Sequence, residues 1–446
     1  MARPIYVLLS YLLLPFLAVY LLWRSRKQPE YREHWGERFG WTAPMIAQGA
    51  IWIHAVSLGE TLAAESLIVA LRQLYPERPL LLTHTTPTGR AAGLRLAPRI
   101  SRLTVMYLPY DTPWAMRRFL SRAKPCAGLL METEVWPNLI ACAQAMNIPL
   151  ALINARLSER SLARGQKYSS LAREAMGALS MVLAQTSDDA RRLAQIGAKS
   201  PQVLGNLKFD VQPSPELLAR GKSWRQHFSR KQVVLFANTR EGEEMMLLSA
   251  LKLRTKGFKK WPEGLLVLLV PRHPQRFNDV EKVVQAEGLR YVRRSCDTAL
   301  ESLSATPNVA TLVHQLAPLD SKIQLVLGDS LGEMAAYYAA SDLAVMGGSF
   351  QKLGGHNLIE ACACVCPVIL GPHMFNFALA SQEAVASGAA WSVQDAQEAI
   401  AKALQLLSTD RAPLQKASAA CKEFSQKHRG ATLRTLEALA PLLPLR

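Results

Sequence analysis

Short apolar runs alternate with longer amphipathic stretches along most of the chain. In the first half, several of these stretches repeat apolar residues at helical spacing, as Glu60–Leu74 does. Strands that alternate with helices form parallel sheets that are covered on both faces, so the pattern predicts a doubly wound α/β domain. The strand-like runs of this half are 51–56, 79–84, 103–109, 127–132, 149–154 and 180–185.

A second series of the same kind follows a Pro- and Ser-containing segment at 211–215, which reads as a linker. Two α/β halves joined by a linker predict a cleft between them, with ligands bound beyond the carboxyl ends of the strands. Residues 297–317 are less regular and read as a surface insertion. The strand-like runs of the second half are 232–239, 264–271, 324–329, 342–348 and 367–372.

The amino-terminal segment Ile5–Trp23 contains no charged residue, and Arg24, Arg26 and Lys27 follow it. As a helix it would be about 28 Å long, close to the hydrocarbon thickness of a bilayer. The basic cluster after the segment predicts a membrane anchor with the bulk of the chain in the cytoplasm. A cleaved signal peptide and a buried core helix are alternatives, and a kink at Pro15 would suit a shallow monotopic anchor.

Composition and charge narrow the class of protein. The chain has 446 residues, of which 49% are hydrophobic and 20% charged, which excludes a disordered chain. The net charge of +17 indicates an anionic partner, which could be nucleic acid, a membrane face or a phosphorylated substrate. Seven cysteines are too few for a disulfide scaffold and suit a reducing compartment.

Carboxylates follow two strands of the first half. Glu60 stands at the predicted start of a helix, where the helix dipole favours an ionised carboxylate that can accept a proton from a hydroxyl. Glu132 and Glu134 follow the fourth strand and need a basic partner if they are buried, for which Lys208 is the candidate. An ordinary first-turn glutamate and a purely structural ion pair are the alternatives.

Two further segments of the first half suit anions. The loop 83–90 carries hydroxyls and ends in Arg90, which suits a phosphate or a sugar, although an ordinary N-capped helix has the same pattern. Between residues 90 and 124 basic residues far outnumber acidic ones, which fits lipid phosphates or a solvated face. The aromatic and charged segment 29–41 fits either a surface for lipid head groups or internal packing.

The strongest local motif of the second half is the glycine-rich segment 347–360, which follows a strand and opens a helix. It suits a phosphate, but it is neither a Walker A loop nor a G-x-G-x-x-G fingerprint. Glu360 could bind the hydroxyls of a ribose, and Arg272 in a neighbouring loop is available for a phosphate. The C-x-C-x-C run 362–366 lacks a supporting cluster and reads as small buried residues.

Together these motifs resemble the bacterial 3-deoxy-D-manno-octulosonic acid (Kdo) transferases of lipid A biosynthesis. The resemblance runs through nearly the whole chain. It implies a GT-B fold, with two Rossmann-like domains that face a cleft and an N-terminal membrane-anchor helix. The matching stretches, besides the anchor, are HAVSLGE (54–60), METEVWPNL (131–139), NARLS (154–158), GNLKFD (205–210), PRHPQRF (271–277), GDSLGEM (328–334) and GGHNLIEA (355–361).

The resemblance also implies roles for individual residues. Glu60 matches the general base, while Glu132, in preference to Glu134, and Lys208 match residues that support the transition state. The site for cytidine monophosphate (CMP) matches two residues after one strand, a turn, and the start of a helix. These residues are Pro271, Arg272, Leu331, Gly332, Glu333, Asn357, Leu358, Ile359 and Glu360.

The implied reaction is the transfer of Kdo from CMP-Kdo to a hydroxyl of the lipid A precursor (lipid IVA), with inversion at the anomeric carbon. No metal or other cofactor is expected, and the expected partners are the donor, the lipid acceptor and the inner membrane, without nucleic acid. Another GT-B lipid glycosyltransferase or a sugar epimerase is the alternative within enzymes. A membrane-tethered nucleic-acid-binding protein would also explain the charge, although no recognition motif supports it.

The same resemblance divides the chain into three regions. Residues 1–28 would be the membrane anchor on the inner membrane, and residues 29–212 the acceptor-binding domain on its cytoplasmic side. Residues 213–446 would be the CMP-Kdo-binding domain, with a final helix that returns toward the N-terminal domain.

Overall fold

The computed structural model describes residues 2–26, 28–42, 48–167, 169–210, 213–229, 232–305, 318–408 and 410–443. The chain divides into two compact units. Unit 1 comprises residues 1–211 and 428–446, and unit 2 comprises residues 212–427. Residues 211 and 212 of the predicted linker and residues 306–317 of the predicted insertion lie outside the described residues. The division at residues 28 and 212 into an anchor and two functional domains stays a prediction.

Unit 1 contains a seven-stranded sheet in the order β3-β2-β1-β4-β5-β6-β7. All of its neighbouring strands are parallel. The strand order reverses between β1 and β4, which makes the carboxyl ends of these two strands the topological switch point. The strands are β1 Ile51–His54, β2 Leu80–His84, β3 Leu103–Tyr107, β4 Ala127–Met131, β5 Leu150–Ala155, β6 Met181–Ala184 and β7 Gln202–Val203.

Both faces of this sheet are buried, which explains why its strands are continuous apolar runs. Along β1, Ile51 and Ile53 pack into one apolar cluster and Trp52 packs into the cluster on the other face. In the described part of unit 1, ten helices precede the sheet or follow its strands. In chain order they are α1 Ala2–Leu12, α2 Leu14–Arg24, α3 Trp35–Arg38, α4 Leu58–Leu74, α5 Pro87–Leu96, α6 Pro113–Ala123, α7 Pro137–Ala145, α8 Glu159–Lys167, α9 Ser169–Gly177 and α10 Ser187–Gln195.

Unit 2 contains a second seven-stranded parallel sheet, in the order β10-β11-β9-β8-β12-β13-β14. Its order reverses between β8 and β12. The strands are β8 Gln232–Thr239, β9 Leu265–Pro271, β10 Tyr291–Arg293, β11 Leu325–Leu327, β12 Leu343–Met346, β13 Val368–Leu370 and β14 Ala390–Ser392. Every run predicted from the sequence contains a strand, whereas β7, β10 and β14 were not predicted. These three are edge strands of two or three residues and lack the apolar run of a central strand.

The helices of unit 2 cover both faces of this sheet, and the last helix of the chain belongs to unit 1. Those of unit 2 are α11 Pro215–Phe228, α12 Glu243–Arg254, α13 Phe277–Ala286, α14 Thr298–Ala305, α15 Met334–Ala340, α16 Leu358–Ala363, α17 Ala378–Ala386, α18 Ala396–Leu406 and α19 Ala412–Lys427, and that of unit 1 is α20 Ala431–Leu439. Short 3-10 helices occur at Pro29–Arg32, Ala97–Arg99, Leu207–Asp210, Pro274–Arg276, Arg294–Cys296 and Phe375–Phe377.

The amino-terminal apolar segment forms two helices rather than one. Helices α1 and α2 are separated at Leu13 and bent by 45° from one another. Pro15 stands in the first turn of α2, and a proline has no N–H to continue the hydrogen bonds of a preceding helix. Among the described helices, none is by itself long and apolar enough to cross a membrane, and this bent pair reaches the required length and composition only together. The prediction of one continuous helix over 5–23 is therefore wrong, because the segment forms two helices.

Candidate active site

Glu60 lies in the first turn of α4, directly beyond the carboxyl end of β1. Ser57 caps this helix, and its hydroxyl donates a hydrogen bond of 2.9 Å to Oε1 of Glu60, while the Val56 N–H donates one of 2.9 Å to Oε2. Burial raises the pKa of Glu60 to about 7, the negative charge of Glu132 adds to the effect, and the two hydrogen bonds oppose it. The carboxylate is therefore not kept fully ionised by the helix start, but titrates close to neutral pH.

Glu132 follows β4 and is buried, with an exposed fraction of 5%. Lys208 Nζ lies 2.8 Å from its Oε1, and Arg156 Nε lies 2.7 Å from its Oε2. Burial acts to raise the pKa of Glu132, but the charges and hydrogen bonds of Lys208 and Arg156 outweigh it and hold the pKa below its ordinary value. The structure thus brings Glu132 and Lys208 together as an ionised pair, and adds Arg156 as a second cation.

Glu134 has a different environment from Glu132. Its Oε2 accepts a hydrogen bond of 2.7 Å from the indole N–H of Trp136. Burial raises the pKa of Glu134, the Trp136 hydrogen bond lowers it, and the charge of Glu132 raises it further. Lys208 and Arg156 therefore pair with Glu132, and Glu132 is the acid that the sequence resemblance favours.

The segment that carries Lys208 is held from both sides within unit 1. Asn154, the next-to-last residue of β5, lies in the left-handed region at φ 50°, and its side-chain oxygen accepts a hydrogen bond of 2.9 Å from Leu207 N–H. On the other side, Asp210 accepts hydrogen bonds from Gly430 and Thr432 at the start of α20. These contacts fix the backbone on either side of Lys208 and so hold its ammonium group against Glu132.

Two buried histidines lie beside these loops. Burial lowers the pKa of His54, at the end of β1, to about 3, and that of His84, at the end of β2, to about 4. Both rings are therefore neutral at physiological pH. These two histidines therefore add no positive charge near Glu60.

In unit 2, Arg272 and Glu360 follow β9 and β12, the two strands on either side of β8. Arg272 follows β9, and its N–H donates a hydrogen bond of 3.0 Å to Thr239 at the end of β8. Glu360 lies in the first turn of α16, which is capped by the side chain of Asn357. Burial raises the pKa of Glu360, and the positive charge of Arg272 opposes this effect.

Three more residues of this edge act on Arg272 or on one another, and none of them was among the predicted site residues. Arg240 Nη1 lies 2.6 Å from Nε2 of His273. Burial and the charges of Arg240 and Arg272 lower the pKa of His273, and burial with the same two charges lowers that of His356 to about 3. Two arginines beside two neutral histidines give this edge a positive potential, which suits a phosphate.

The carboxylates of α12 hold the loops of this edge in place. Glu243 accepts hydrogen bonds from the N–H groups of Arg240 (2.9 Å), Gly348 (2.6 Å) and Phe350 (3.1 Å). Its carboxylate thus joins the loop after β8 to the glycine-rich loop after β12, across the switch point of the sheet. Gly347 allows this close approach, since a Cβ there would meet the Asn238 carbonyl oxygen at 2.5 Å.

In the predicted turn at residues 331–333, the acid Glu333 is paired with arginines of unit 2. Leu331 is exposed and Gly332 has a φ of 79°, which favours glycine. Glu333 is buried, and its Oε1 accepts hydrogen bonds from Arg220 (2.8 Å) and Arg294 (2.9 Å). Oε1 of Glu333 is therefore held by two arginines of unit 2, whereas its buried Oε2 makes no hydrogen bond within the described part of the chain.

The cysteines of the C-x-C-x-C run lie in or beside α16. Cys362 and Cys366 are buried, and burial raises the pKa of Cys366 well above its ordinary value. Within the described residues, no group of three or more His, Cys, Asp or Glu side chains is arranged to hold a metal ion.

Comparison with known proteins identifies the family. A family model described as "3-Deoxy-D-manno-octulosonic-acid transferase (kdotransferase)" matches residues 33–211. The 3-deoxy-D-manno-octulosonic acid transferase of Bordetella pertussis is 44% identical over 446 residues, which cover 98% of this chain and 99% of that protein. The chain belongs to the Kdo transferase family. The Kdo transferase of Haemophilus influenzae is 34% identical over 448 residues and covers 99% of both chains. The predicted family is confirmed, and the protein is a glycosyltransferase.

Solved structures show the same fold at low sequence identity. A glycosyltransferase from Rickettsia africae is similar with a TM-score of 0.56 and 14% identity, covering 90% of this chain and 100% of that one. HepE of Anabaena in complex with UDP and glucose is similar with a TM-score of 0.54 and 15% identity, covering 89% and 100%. The Kdo transferase thus has the two parallel-sheet α/β units of the GT-B class, as the sequence predicted.

Proposed function

We propose that this Kdo transferase moves Kdo from CMP-Kdo to a hydroxyl of the lipid A precursor in lipopolysaccharide core biosynthesis. The observation that carries the proposal is the Glu60 carboxylate, which stands at the switch point of unit 1 with a pKa raised to about 7 by burial and by Glu132. A base with such a pKa can be unprotonated at physiological pH and still accept a proton from a hydroxyl.

In the proposed step, Glu60 takes the proton of the acceptor hydroxyl while the oxygen attacks the anomeric carbon of Kdo. The bond from that carbon to the CMP phosphate breaks, and its electron pair leaves with the phosphate oxygen. Attack opposite to the leaving group inverts the anomeric configuration. Lys208, held 2.8 Å from Glu132, supports the transition state as a fixed positive charge whose position the buried carboxylate determines.

For the donor, we assign the CMP site to the carboxyl edge of unit 2. Arg272 neutralises the phosphate as CMP leaves, the turn at 331–333 contributes backbone groups, and Glu360 accepts hydrogen bonds from the ribose hydroxyls. Asn357 caps α16 and so fixes the position of Glu360, with Leu358 and Ile359 between them. Pro271, the last residue of β9, starts the loop that carries Arg272.

The amino-terminal helix pair is proposed to anchor the enzyme to the inner membrane, with both units on the cytoplasmic side. Support comes from its exposed apolar side chains, among them Phe16 (71%) and Val19 (64%), and from Arg24 and Arg26 directly after them. A Phe16→Glu/Val19→Glu variant should float with inner-membrane vesicles less than the wild type does. Equal flotation would contradict this anchor.

The decisive experiment incubates the purified enzyme with CMP-Kdo and tetraacyl disaccharide acceptor and measures the product masses. We expect a mass increase by one or more Kdo units, and none when CMP-Kdo is omitted. Thermal stabilisation by CMP, but not by UDP or UMP, is the matched test of the donor. Stabilisation by UDP alone, with no Kdo product, would favour another lipid glycosyltransferase.

A further inference from the structure

A second cluster of charged side chains lies at the carboxyl edge of the unit 1 sheet, and the proposed mechanism does not use it. It forms where the segment 35–41 packs against the ends of β2 and β3. The Tyr110 N–H donates a hydrogen bond of 2.8 Å to the Arg38 carbonyl oxygen, and the Tyr107 N–H donates one of 2.7 Å to Oε2 of Glu37. The packing brings the guanidinium of Arg38 to the start of α5.

Arg38 is an unusual arginine because only 2% of it is exposed. Its Nη1 donates a hydrogen bond of 2.8 Å to the carbonyl oxygen of Thr85, but its buried Nε and Nη2 make no hydrogen bond. Its guanidinium carbon lies 3.6 Å from the centre of the Tyr107 ring. A buried cation with unpaired donors is costly, so this position favours an anionic ligand.

Arg90 adds a second guanidinium from the first turns of α5. Its Cζ lies 5.3 Å from the centre of the same Tyr107 ring, its Nη2 lies 3.8 Å from Oε1 of Glu37, and its buried Nε makes no hydrogen bond. Two arginines and one acid leave one positive charge in excess. The amino-terminal end of α5, a helix of 10 residues, adds to the positive potential at this place.

One residue, Val56, joins this cluster to the proposed general base. The Val56 N–H donates a hydrogen bond of 2.9 Å to Glu60, while the Val56 carbonyl oxygen accepts hydrogen bonds from the N–H (3.1 Å) and hydroxyl (2.9 Å) of Thr86. Gly89 permits this approach, because a Cβ there would meet the Val56 carbonyl oxygen at 2.9 Å. The start of α5 and the Glu60 carboxylate are therefore held in a constant relation within unit 1.

We propose that Arg38 and Arg90 form a subsite for a phosphate group of the acceptor, beside Glu60. The inference rests on the proposed function, because it assigns a further contact to the same acceptor. Arg90, whose side chain is 15% exposed, makes the direct charge-assisted hydrogen bonds. Arg38, whose guanidinium is buried, adds a second positive charge from beneath. A phosphate bound here orients the acceptor so that its hydroxyl meets Glu60.

The test compares two acceptors, the phosphorylated acyl disaccharide and the same molecule with its phosphates removed, at saturating CMP-Kdo. Arg90→Gln should raise the KM for the phosphorylated acceptor roughly tenfold to hundredfold, as expected for a lost charge-assisted hydrogen bond. It should leave the KM for the dephosphorylated acceptor unchanged. Arg95→Gln is the matched control, since it removes the same charge from an exposed position of the same helix and should alter neither KM.

A second variant tests the buried arginine. Arg38→Gln removes the buried positive charge, so it should also raise the KM for the phosphorylated acceptor only. A loss of stability of unit 1 would show that this variant does not fold. In that case Arg90→Gln still tests the subsite. Equal losses on both acceptors, or an equal effect of Arg95→Gln, would overturn the subsite.

Three further outcomes have distinct meanings. If Arg90→Gln weakens binding to phosphatidylglycerol vesicles but leaves the preference for the phosphorylated acceptor intact, the cluster binds a membrane lipid and the acceptor subsite is wrong. Wild-type transfer with the same KM for both acceptors would also overturn the subsite, but not the proposed function. Absence of any transfer by the wild type would overturn both.

Discussion

The carboxyl edges of the two sheets share a backbone plan and differ in chemistry. In unit 1 the helix after β1 is capped by Ser57, and Glu60 is its third residue; in unit 2 the short helix α16 is capped by Asn357, and Glu360 is its third residue. Burial raises the pKa of both glutamates. The charge of Glu132 raises the pKa of Glu60 further, whereas the charge of Arg272 lowers that of Glu360.

This difference indicates that the position of an acid in its own helix does not determine its role. The neighbours come from other strands: Glu132 follows β4, and Arg272 follows β9. An acid beside another acid is well placed to accept a proton. An acid beside an arginine stays ionised more readily and is better suited to accept hydrogen bonds from a ligand.

The largest effect should come from removing the base of unit 1. Glu60→Gln keeps the shape and the cap of α4 but cannot accept a proton, so we expect kcat to fall roughly 10²- to 10⁴-fold. Stabilisation by CMP should stay unchanged. Glu65→Gln, which removes a half-buried carboxylate from the same helix, should stay within about twofold of the wild type. If Glu60→Gln transfers Kdo at the wild-type rate, Glu60 is not the base, and the acids of the two edges do not differ in this role.

The next effect concerns stability within unit 1. Lys208→Gln leaves the buried Glu132 with Arg156 alone, and we expect a loss of about 3 kcal/mol in the free energy of unfolding, measured on the urea transition of unit 1. Arg156→Gln should cost clearly less, because the Arg156 side chain is 44% exposed and that of Lys208 is 15% exposed. Equal losses for the two variants would contradict the idea that burial makes Lys208 the main partner.

A smaller effect should appear on the donor side. Arg272→Ala removes one positive charge from unit 2, and we expect the donor KM to rise roughly tenfold to hundredfold, with a smaller change in kcat. Arg254→Ala, at the exposed far end of α12, removes a charge away from this edge and should leave the donor KM unchanged. An unchanged donor KM in Arg272→Ala would mean that unit 2 binds the phosphate by other groups.

The smallest effect is a shift of a pH profile. Because Glu60 must be unprotonated to accept a proton and its pKa is raised to about 7, kcat should fall as the pH drops through about 7. Glu132→Gln removes a negative charge that raises this pKa, so the acid limb should move to lower pH, by less than about one unit. Glu134→Gln should shift it in the same direction but less. A limb that stays in place in Glu132→Gln would show that Glu132 does not act on Glu60.

The apolar patterning predicted the two parallel sheets because their central strands are buried on both faces. The same patterning missed β7, β10 and β14, where a short edge strand is half exposed and lacks an apolar run. It also predicted one helix over 5–23, where Pro15 instead separates two. Strand ends and helix starts located Glu60, Glu132, Arg272 and Glu360, since a loop after a parallel strand is where ligands bind.

The motifs of the chain were enough to predict its family and its two parallel-sheet α/β units, because these depend on residue type and on local spacing. The motifs did not predict all the partners of the site side chains or the protonation of its acids. That Arg156 joins Lys208 on Glu132, that Arg240 and two histidines surround Arg272, and that Arg38 is buried at the start of α5 all depend on contacts between residues far apart in the chain. Such contacts set burial, hydrogen bonding and neighbouring charge, and these three quantities determine the pKa of each acid.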